Sequence, residues 1–371
     1  EAEQELSDFA KKHNIPVTST VMGLGCMDND DPYYIGNIGG LGDKSSNNLS
    51  KDTDLALAVG TKLADFTTGS WANFENDDFK LVSINTARYD VAKHRSTPVI
   101  SDAKIAFQEL SKALGDWKAP DVWFERAIKE RTDWKNYVEK QSGPTNQELP
   151  SYAHAVGAVY RNSDPSDIVV TAAGGLVGEV IQVWRPKQKN TFESEWGFSC
   201  MGYEISGALG IKMAKPDQDV VVFVGDGSYL LANSDIYSSV IYDKKLIIIV
   251  CDNGGHMVIN RLQLAKGGKE YICNLRSARA TNLQFVDFEA HAKSMGANGE
   301  TVTSTSELEA AFLRAKKSDK TYVISIQTHG YEWLEGSAFW ESPTSEVHTT
   351  EDNKKAYEDF IQGKNKQRKG V

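Results

Sequence analysis

Asp226 stands between two glycines in Val220-Val-Val-Phe-Val-Gly225-Asp-Gly-Ser228, where an apolar, β-branched run breaks into a stretch with helical spacing. That pattern reads as a buried strand handing over to a helix, and ligands of open parallel sheets bind beyond the carboxyl ends of such strands. Gly225 and Gly227 let the backbone approach a charged ligand closely, while the start of a helix presents free N–H groups to an anion. A carboxylate among phosphate oxygens needs a divalent cation between them. The next apolar run, Lys245 to Cys251, ends in Asp252-Asn253-Gly254-Gly255. Adjacent strands deliver both tips to one crevice, so Asp226 and Asn253, 27 residues apart, can face the same ion. Mg2+ takes about six oxygens in octahedral geometry and shares them among protein, water and phosphates. A carboxylate, an amide oxygen and a backbone carbonyl, with two diphosphate oxygens and a water, would complete that shell. Either motif alone also reads as an ordinary strand-to-helix turn with a capping Asp. Together, at corresponding strand ends, they argue for the ion.

The elements that must hold these tips have an α/β rhythm. Asp167 to Ala173, Asp219 to Val224, Lys245 to Cys251 and Thr321 to Gln327 are nearly all apolar, as strands covered on both faces are. Met201 to Lys215, Tyr229 to Tyr242 and Phe285 to Gly296 carry helical periodicity between them. Upstream, Ile15 to Thr20, Asp54 to Val59, Lys80 to Ile84 and Val99 to Ser101 read as strands, residues 1 to 14 and Ala103 to Leu114 as helices, and 116 to 141 as a surface helix. Ser142-Gly-Pro-Thr-Asn-Gln-Glu-Leu-Pro150 has the composition of a linker. The sequence thus predicts two doubly wound parallel-sheet α/β domains, one at 1–141 and one at 151–344 that carries the candidate metal and diphosphate site, joined by a linker at 142–150 and followed by a charged, solvated tail at 345–371 ending in a Lys-Gln-Arg-Lys cluster.

Composition narrows the class. The 371 residues carry 41 Lys+Arg against 51 Asp+Glu, a net charge of −10, with 40% hydrophobic residues. That is a globular composition, and the acidic balance argues against nucleic-acid or membrane-surface partners, which need clustered basic side chains. No apolar run approaches the roughly 20 residues that span a bilayer, and Glu1 opens a polar stretch unlike a signal peptide. Four cysteines without regular spacing indicate neither a disulfide framework nor a zinc site, and a cytoplasmic location is expected. The start without Met, on a helix with no strand before it, implies a fragment of something longer.

Gly225-Asp-Gly-Ser228 followed by Asp252-Asn253 resembles the magnesium–diphosphate motif of thiamine-diphosphate-dependent enzymes. Gly197-Phe-Ser-Cys-Met-Gly-Tyr-Glu204, Asn260-Arg-Leu-Gln263, Leu149-Pro-Ser-Tyr-Ala153 and Asp65-Phe-Thr-Thr-Gly-Ser70 extend the likeness to one family, the trihydroxycyclohexane-1,2-dione hydrolases (acylhydrolases) of myo-inositol catabolism. The resemblance implies thiamine diphosphate and Mg2+ as cofactors, with Asp226, the Asn253 side chain and the Gly255 carbonyl on the metal. It puts Ser228 on the diphosphate and backbone around Gly174 and Gly175 in its cradle. Met201 matches the bulky apolar residue that wedges the cofactor into its bent form, and the Ser199 carbonyl falls where the family accepts a hydrogen bond from the aminopyrimidine. The bend makes proton removal at the thiazolium intramolecular. Otherwise Met201 reads as a core methionine at a helix start.

The implied reaction is carbon–carbon hydrolysis of a small cyclic polyhydroxy 1,2-diketone to 5-deoxyglucuronate, with the cofactor as electron sink. Two departures stand out. Most of these enzymes have Asn-Asn where this chain has Asp252-Asn253. The family's glutamate that protonates the aminopyrimidine lies on an N-terminal domain, so no catalytic residue is expected in this chain, which would hold only the middle domain, lacking its first strand, and the diphosphate domain. Alternatives are an acetolactate-synthase-like decarboxylase or carboligase, and a catalytically incomplete cofactor-binding fragment. Because family active sites form between subunits, a homodimer or homotetramer is expected of the full-length protein.

Other residues divide less sharply. His256, directly after the metal loop, would contact diphosphate or substrate or stand free in the loop. His154 and His291 read as packing or surface residues, and Cys200 and Cys251 as buried small hydrophobes. Gly36-Asn-Ile-Gly-Gly-Leu-Gly42 is read as a structural glycine-rich loop with no strand leading into it. Tyr331 to Trp340, with three large aromatics after Tyr331, is read as a segment folding over the site or forming an interface.

Overall fold

The computed structural model describes residues 2–278 and 282–368; Glu1 and Lys369, the last member of the C-terminal basic cluster, lie outside the described residues. The chain packs as two compact units, one of residues 1–137, 335–346 and 357–371, the other of 138–334 and 347–356.

In the first unit the strands β1 (Val17–Ser19) and β2 (Tyr34–Asn37) pair in parallel, and β3 (Leu55–Val59), β4 (Lys80–Asn85) and β5 (Thr97–Ile100) form a parallel sheet in that order. The helix Ala103–Leu114 starts where the Asp102 side chain accepts from the Lys104 and Ile105 N–H groups. It packs on the helix Glu3–His13 through the rings of Phe107 and Phe9. One sequence expectation needs correcting here: β2 leads directly into the glycine-rich loop. Four residues with a glycine at the third position carry too little alternation to be read as a strand. The loop's glycines are there for close packing. A Cβ at Gly39 would overlap the Phe66 carbonyl, and one at Gly40 would come within 2.7 Å of the Phe66 ring.

The C-terminal segment also differs from the expectation of a solvated tail following the second domain. The Glu341 N–H donates to Ser70 Oγ at 2.8 Å and Gln367 Nε2 to the Ser70 carbonyl at 2.8 Å. In the helix Glu351–Asn365, Gly363 is buried against the Phe339 ring, leaving no room for a side chain. Residues 335–346 and 357–368 are therefore part of the first unit. Residues 142–150, expected to be a free linker, pack on the second unit: Arg161 donates to the Ser142 carbonyl, Thr305 to that of Thr145 and His329 to that of Pro150.

The second unit is built on a six-stranded, all-parallel sheet. Its strands are β6 (Ile168–Thr171), β7 (Phe192–Ser194), β8 (Val220–Gly225), β9 (Ile247–Asp252), β10 (Asn298–Val302) and β11 (Tyr322–Gln327), in the order β10-β11-β9-β8-β6-β7. Every residue from Val220 to Val224 and from Ile247 to Cys251 is buried, which is why both strands lack polar alternation. The edge strands β7 and β10 carry Glu193, Glu300 and partly exposed positions, and the sequence reading passed over both. The chain runs from β6 outward to β7, then crosses back over β6 to β8 and on to β9, so the order reverses between β6 and β8. Crevices at such reversals, beyond the carboxyl ends, are where open α/β sheets bind ligands.

Candidate functional site

Three strand tips meet at this reversal. Beyond β6 comes Ala172-Ala173 and the helix Gly174–Val183; beyond β8, the short helix Asp226–Leu231; beyond β9, the Asp252–Gly255 loop. The expected helix Tyr229 to Tyr242 is two pieces, Asp226–Leu231 and Asp235–Ile241, so helical geometry starts at the carboxylate itself. Asp226 is 6% exposed and its Oδ2 accepts the Gly255 N–H at 2.8 Å, which ties the β8 tip to the β9 loop. Gly225 is the in-register partner of Cys251, so Asp226 and Asp252 are immediate neighbours. Their carboxyl groups share a hydrogen bond. Burial first, and then the charge of Asp252, push the Asp226 carboxyl up to about 7. Burial also raises Asp252, whose Oδ1 accepts the Gly254 N–H at 2.9 Å.

Asn253 completes the group. Its Nδ2 donates to Tyr152 Oη at 2.6 Å, while its Oδ1 is buried with no hydrogen-bond partner. A buried acceptor without a donor costs roughly 1–3 kcal/mol, as does bringing two carboxylates together in a low-dielectric site. A hard cation held by both strand tips would relieve both, and carboxylate, amide and backbone oxygens are the donors that Mg2+ takes. Among the described residues no three His, Cys, Asp or Glu side chains group so as to hold a metal, so a cation here would need amide, carbonyl and ligand oxygens as well. Gly255 lies beside these groups at φ 142°, where a Cβ would overlap the Cys273 carbonyl.

The other predicted site residues fall into two sets. Gly227, Met201 and His256 come together: a Cβ on Gly227 would lie 2.7 Å from His256 Cε1 and 3.4 Å from Met201 Cε. Met201 is 38% exposed in the loop before the helix Tyr203–Ala214, which corrects the reading of it as a core residue. Ser199 is exposed at φ 50° in the same loop, whose shape is fixed by the Glu195 carboxylate accepting from the Phe198 and Cys200 N–H groups. Gly174 is exposed with open space at its Cα, whereas a Cβ on Gly175 would overlap the Trp333 ring. The Ser228 hydroxyl bonds the Glu204 carboxylate instead of pointing outward, leaving its backbone for a ligand. That buried carboxylate also accepts from the Ala173 and Gly202 N–H groups, joining the β6 tip to the Met201 loop.

The cysteines split: Cys251 is buried as expected, but Cys200 is exposed, because it lies in the loop and not in the helix after it. His154 is buried in a capping box with Ser151, and His291 bonds Tyr229 Oη at 2.9 Å. The aromatic segment after Tyr331 divides, Trp333 packing by Tyr152 while Trp340 meets Phe66 in the first unit. Tyr152, Asp252, Glu204 and Trp333 were not singled out as site residues. Each stood inside a stretch the sequence singled out, Tyr152 in Leu149–Ala153, Glu204 at the end of Gly197–Glu204, Asp252 beside Asn253 and Trp333 in the aromatic run after Tyr331, but none by its own type.

Comparison with known proteins matches residues 1–110 to the central domain of thiamine pyrophosphate enzymes and residues 172–326 to their C-terminal TPP binding domain. The chain is 32% identical to a 3D-(3,5/4)-trihydroxycyclohexane-1,2-dione hydrolase of Halalkalibacterium halodurans over 96% of its own length and 60% of the relative's. Proteins of the same name from Geobacillus thermodenitrificans and Bacillus anthracis are also 32% identical, over 96% and 97% of this chain and 60% and 61% of theirs. The chain therefore spans about 60% of the length of the curated relatives it matches. In the described residues no helix is long and apolar enough to cross a membrane. With two α/β units and both domain matches falling within them, the chain belongs to the thiamine pyrophosphate enzymes and carries their central and C-terminal domains.

Proposed function

We propose that this chain is the central and cofactor-binding part of a cytoplasmic, Mg2+- and thiamine-diphosphate-dependent hydrolase that opens a cyclic polyhydroxy 1,2-diketone, as the names of its relatives indicate for them. One observation carries the cofactor assignment: a buried Asn253 Oδ1 with no hydrogen-bond partner, in the β9 loop that the Gly255 N–H ties to the Asp226 carboxylate. Asp226, Asn253 and the Gly255 carbonyl would hold Mg2+, which the two carboxylates attract and the amide oxygen orients. Backbone at Gly174, Gly175, Gly225, Gly227 and Ser228 would receive the diphosphate, where side chains would block approach. Met201 would press the cofactor into its bent form, with the Ser199 carbonyl accepting from its pyrimidine amine and His256 flanking the diphosphate. When bound, thiamine diphosphate supplies the electron sink for carbon–carbon cleavage.

The protein's share of the chemistry is to fix the cation, hold the cofactor's shape and exclude water from the strand tips. Turnover is proposed for a full-length homo-oligomer. The exposed Phe198, Leu230 and Leu231 around the site support an apolar partner surface there. Calorimetric titration of thiamine diphosphate tests the binding step: affinity that requires Mg2+ and is lost in Asp226→Ala supports it, and Mg2+-independent affinity refutes it. Ring opening of the trihydroxy diketone by the full-length protein, set against carbon dioxide release from pyruvate, tests the substrate. Release from pyruvate in place of ring opening would favour the decarboxylase alternative.

A further inference from the structure

An amide presents oxygen at one end and nitrogen at the other, and only the oxygen can ligate a cation. At Asn253 something must decide which end is left for a cation: Nδ2 donates to Tyr152 Oη, and Oδ1 is buried with no hydrogen-bond partner. Asp252, next to Asn253 in the chain, and Asp226, tied to the same loop by the Gly255 N–H, are carboxyl acceptors on these two strand tips and would draw an amide's N–H groups. The competing acceptor is Tyr152 Oη, 2.6 Å from Asn253 Nδ2. It is fixed there. Tyr152 is 4% exposed, and its hydroxyl lies 4.0 Å from where a Cβ of Gly225 would stand, between the β8 and β9 tips. Its ring meets Trp333 edge-on at 5.7 Å, the Trp333 ring occupies the space left by the missing Cβ of Gly175, and the Arg261 guanidinium lies over that indole at 5.0 Å.

We infer that Tyr152 is a positioning residue that sets the Asn253 amide with its oxygen toward the cation, the Trp333 ring holding the phenol in place. The inference rests on the reading of Asn253 as a metal ligand. Tyr152 touches neither cation nor cofactor; it acts through the amide alone.

Mn2+ uptake by the intact chain in the presence of thiamine diphosphate, followed by the loss of the free-Mn2+ paramagnetic resonance signal, tests it in four proteins. They are the wild type, Tyr152→Phe, Asn253→Asp, and the two changes combined. Tyr152→Phe is expected to bind Mn2+ roughly tenfold more weakly, about the effect of one hydrogen bond. In the Asn253→Asp background both ends of the side chain are oxygen and the phenol donates to one of them without choosing which end ligates, so adding Tyr152→Phe should not weaken Mn2+ binding as it does in the wild type. A packing role for the phenol would weaken binding equally in both backgrounds and overturn the inference, as would wild-type affinity in Tyr152→Phe. Asn253→Ala separates the two levels. If it binds Mn2+ like the wild type, or if the wild type takes up none, the metal reading fails and this inference with it. If Asn253→Ala loses Mn2+ while Tyr152→Phe does not, only the positioning role falls.

Discussion

Asp226 shows how much a single side chain can be asked to do. In the absence of a cation it is a buried carboxyl next to another, and the N–H groups of Gly255, Gly227 and Asp226 itself partly offset the cost of its charge. Asp226→Asn keeps an acceptor for that N–H and removes the repulsion. The cofactor-free variant should therefore be more stable than the wild type at pH 8, by about 1–2 kcal/mol in urea unfolding. It should also lose the stabilisation that saturating Mg2+ and thiamine diphosphate give the wild type, about 3 kcal/mol at a hundredfold excess over Kd. A variant that loses stability without cofactor would show that the carboxylate serves the fold. At this scale the sequence was informative where chemistry is local. Asp226 and Asn253 announce themselves through glycines and neighbouring apolar runs. Tyr152 and Glu204 do not, because their meaning comes from partners 101 and 31 residues away.

Elements set those partners. The helix Gly174–Val183 begins at the β6 tip and carries Glu179 into a site buried enough to lift its carboxyl from the ordinary 4.5 to about 7, burial outweighing the Leu334 N–H and the nearby Arg261 guanidinium. The raised value means the folded state holds a proton the unfolded chain has released. Stability is then fully present below pH 4.5 and is lost as pH rises toward and through 7. Glu179→Gln keeps the acceptor for Leu334 and should remove this slope, gaining up to about 3 kcal/mol at pH 8 while changing little at pH 4. A parallel pH dependence of melting temperature in both proteins would contradict it. Gly175→Ala tests the same helix from its other side. A methyl there meets the Trp333 indole, and overpacking of about 1–3 kcal/mol should appear in urea unfolding together with weaker metal binding, since that indole braces Tyr152. The elements were legible wherever burial on both faces makes a strand uniformly apolar, as in β8 and β9. They were obscure at the edges: β7 and β10 mix charge with partly exposed residues, and β2 hides a glycine.

For the whole molecule, parallel sheets flanked by helices follow from the alternation of apolar runs and helical stretches, which is why the α/β class is readable in the sequence. Assignment of chain to unit was less so. Residues 335–346 return to the first unit through single contacts such as Glu341 with Ser70, and no local pattern encodes a partner 271 positions away. Ligand binding should respect this division. On adding Mg2+ and thiamine diphosphate, amide hydrogen exchange is expected to slow in residues 225–231 and 252–260 and to stay unchanged in the β3–β4–β5 sheet. Uniform protection across both units would speak against a site built on the second unit's strand tips. The most direct test is a crystal of the chain soaked with Mn2+ and thiamine diphosphate, with anomalous scattering recorded at the manganese edge. A single peak within roughly 2.3 Å of an Asp226 carboxylate oxygen and of Asn253 Oδ1 is the predicted result. Thiamine diphosphate density with the peak elsewhere, or with no peak at all, would contradict the assignment of these two strand tips as the cofactor clamp.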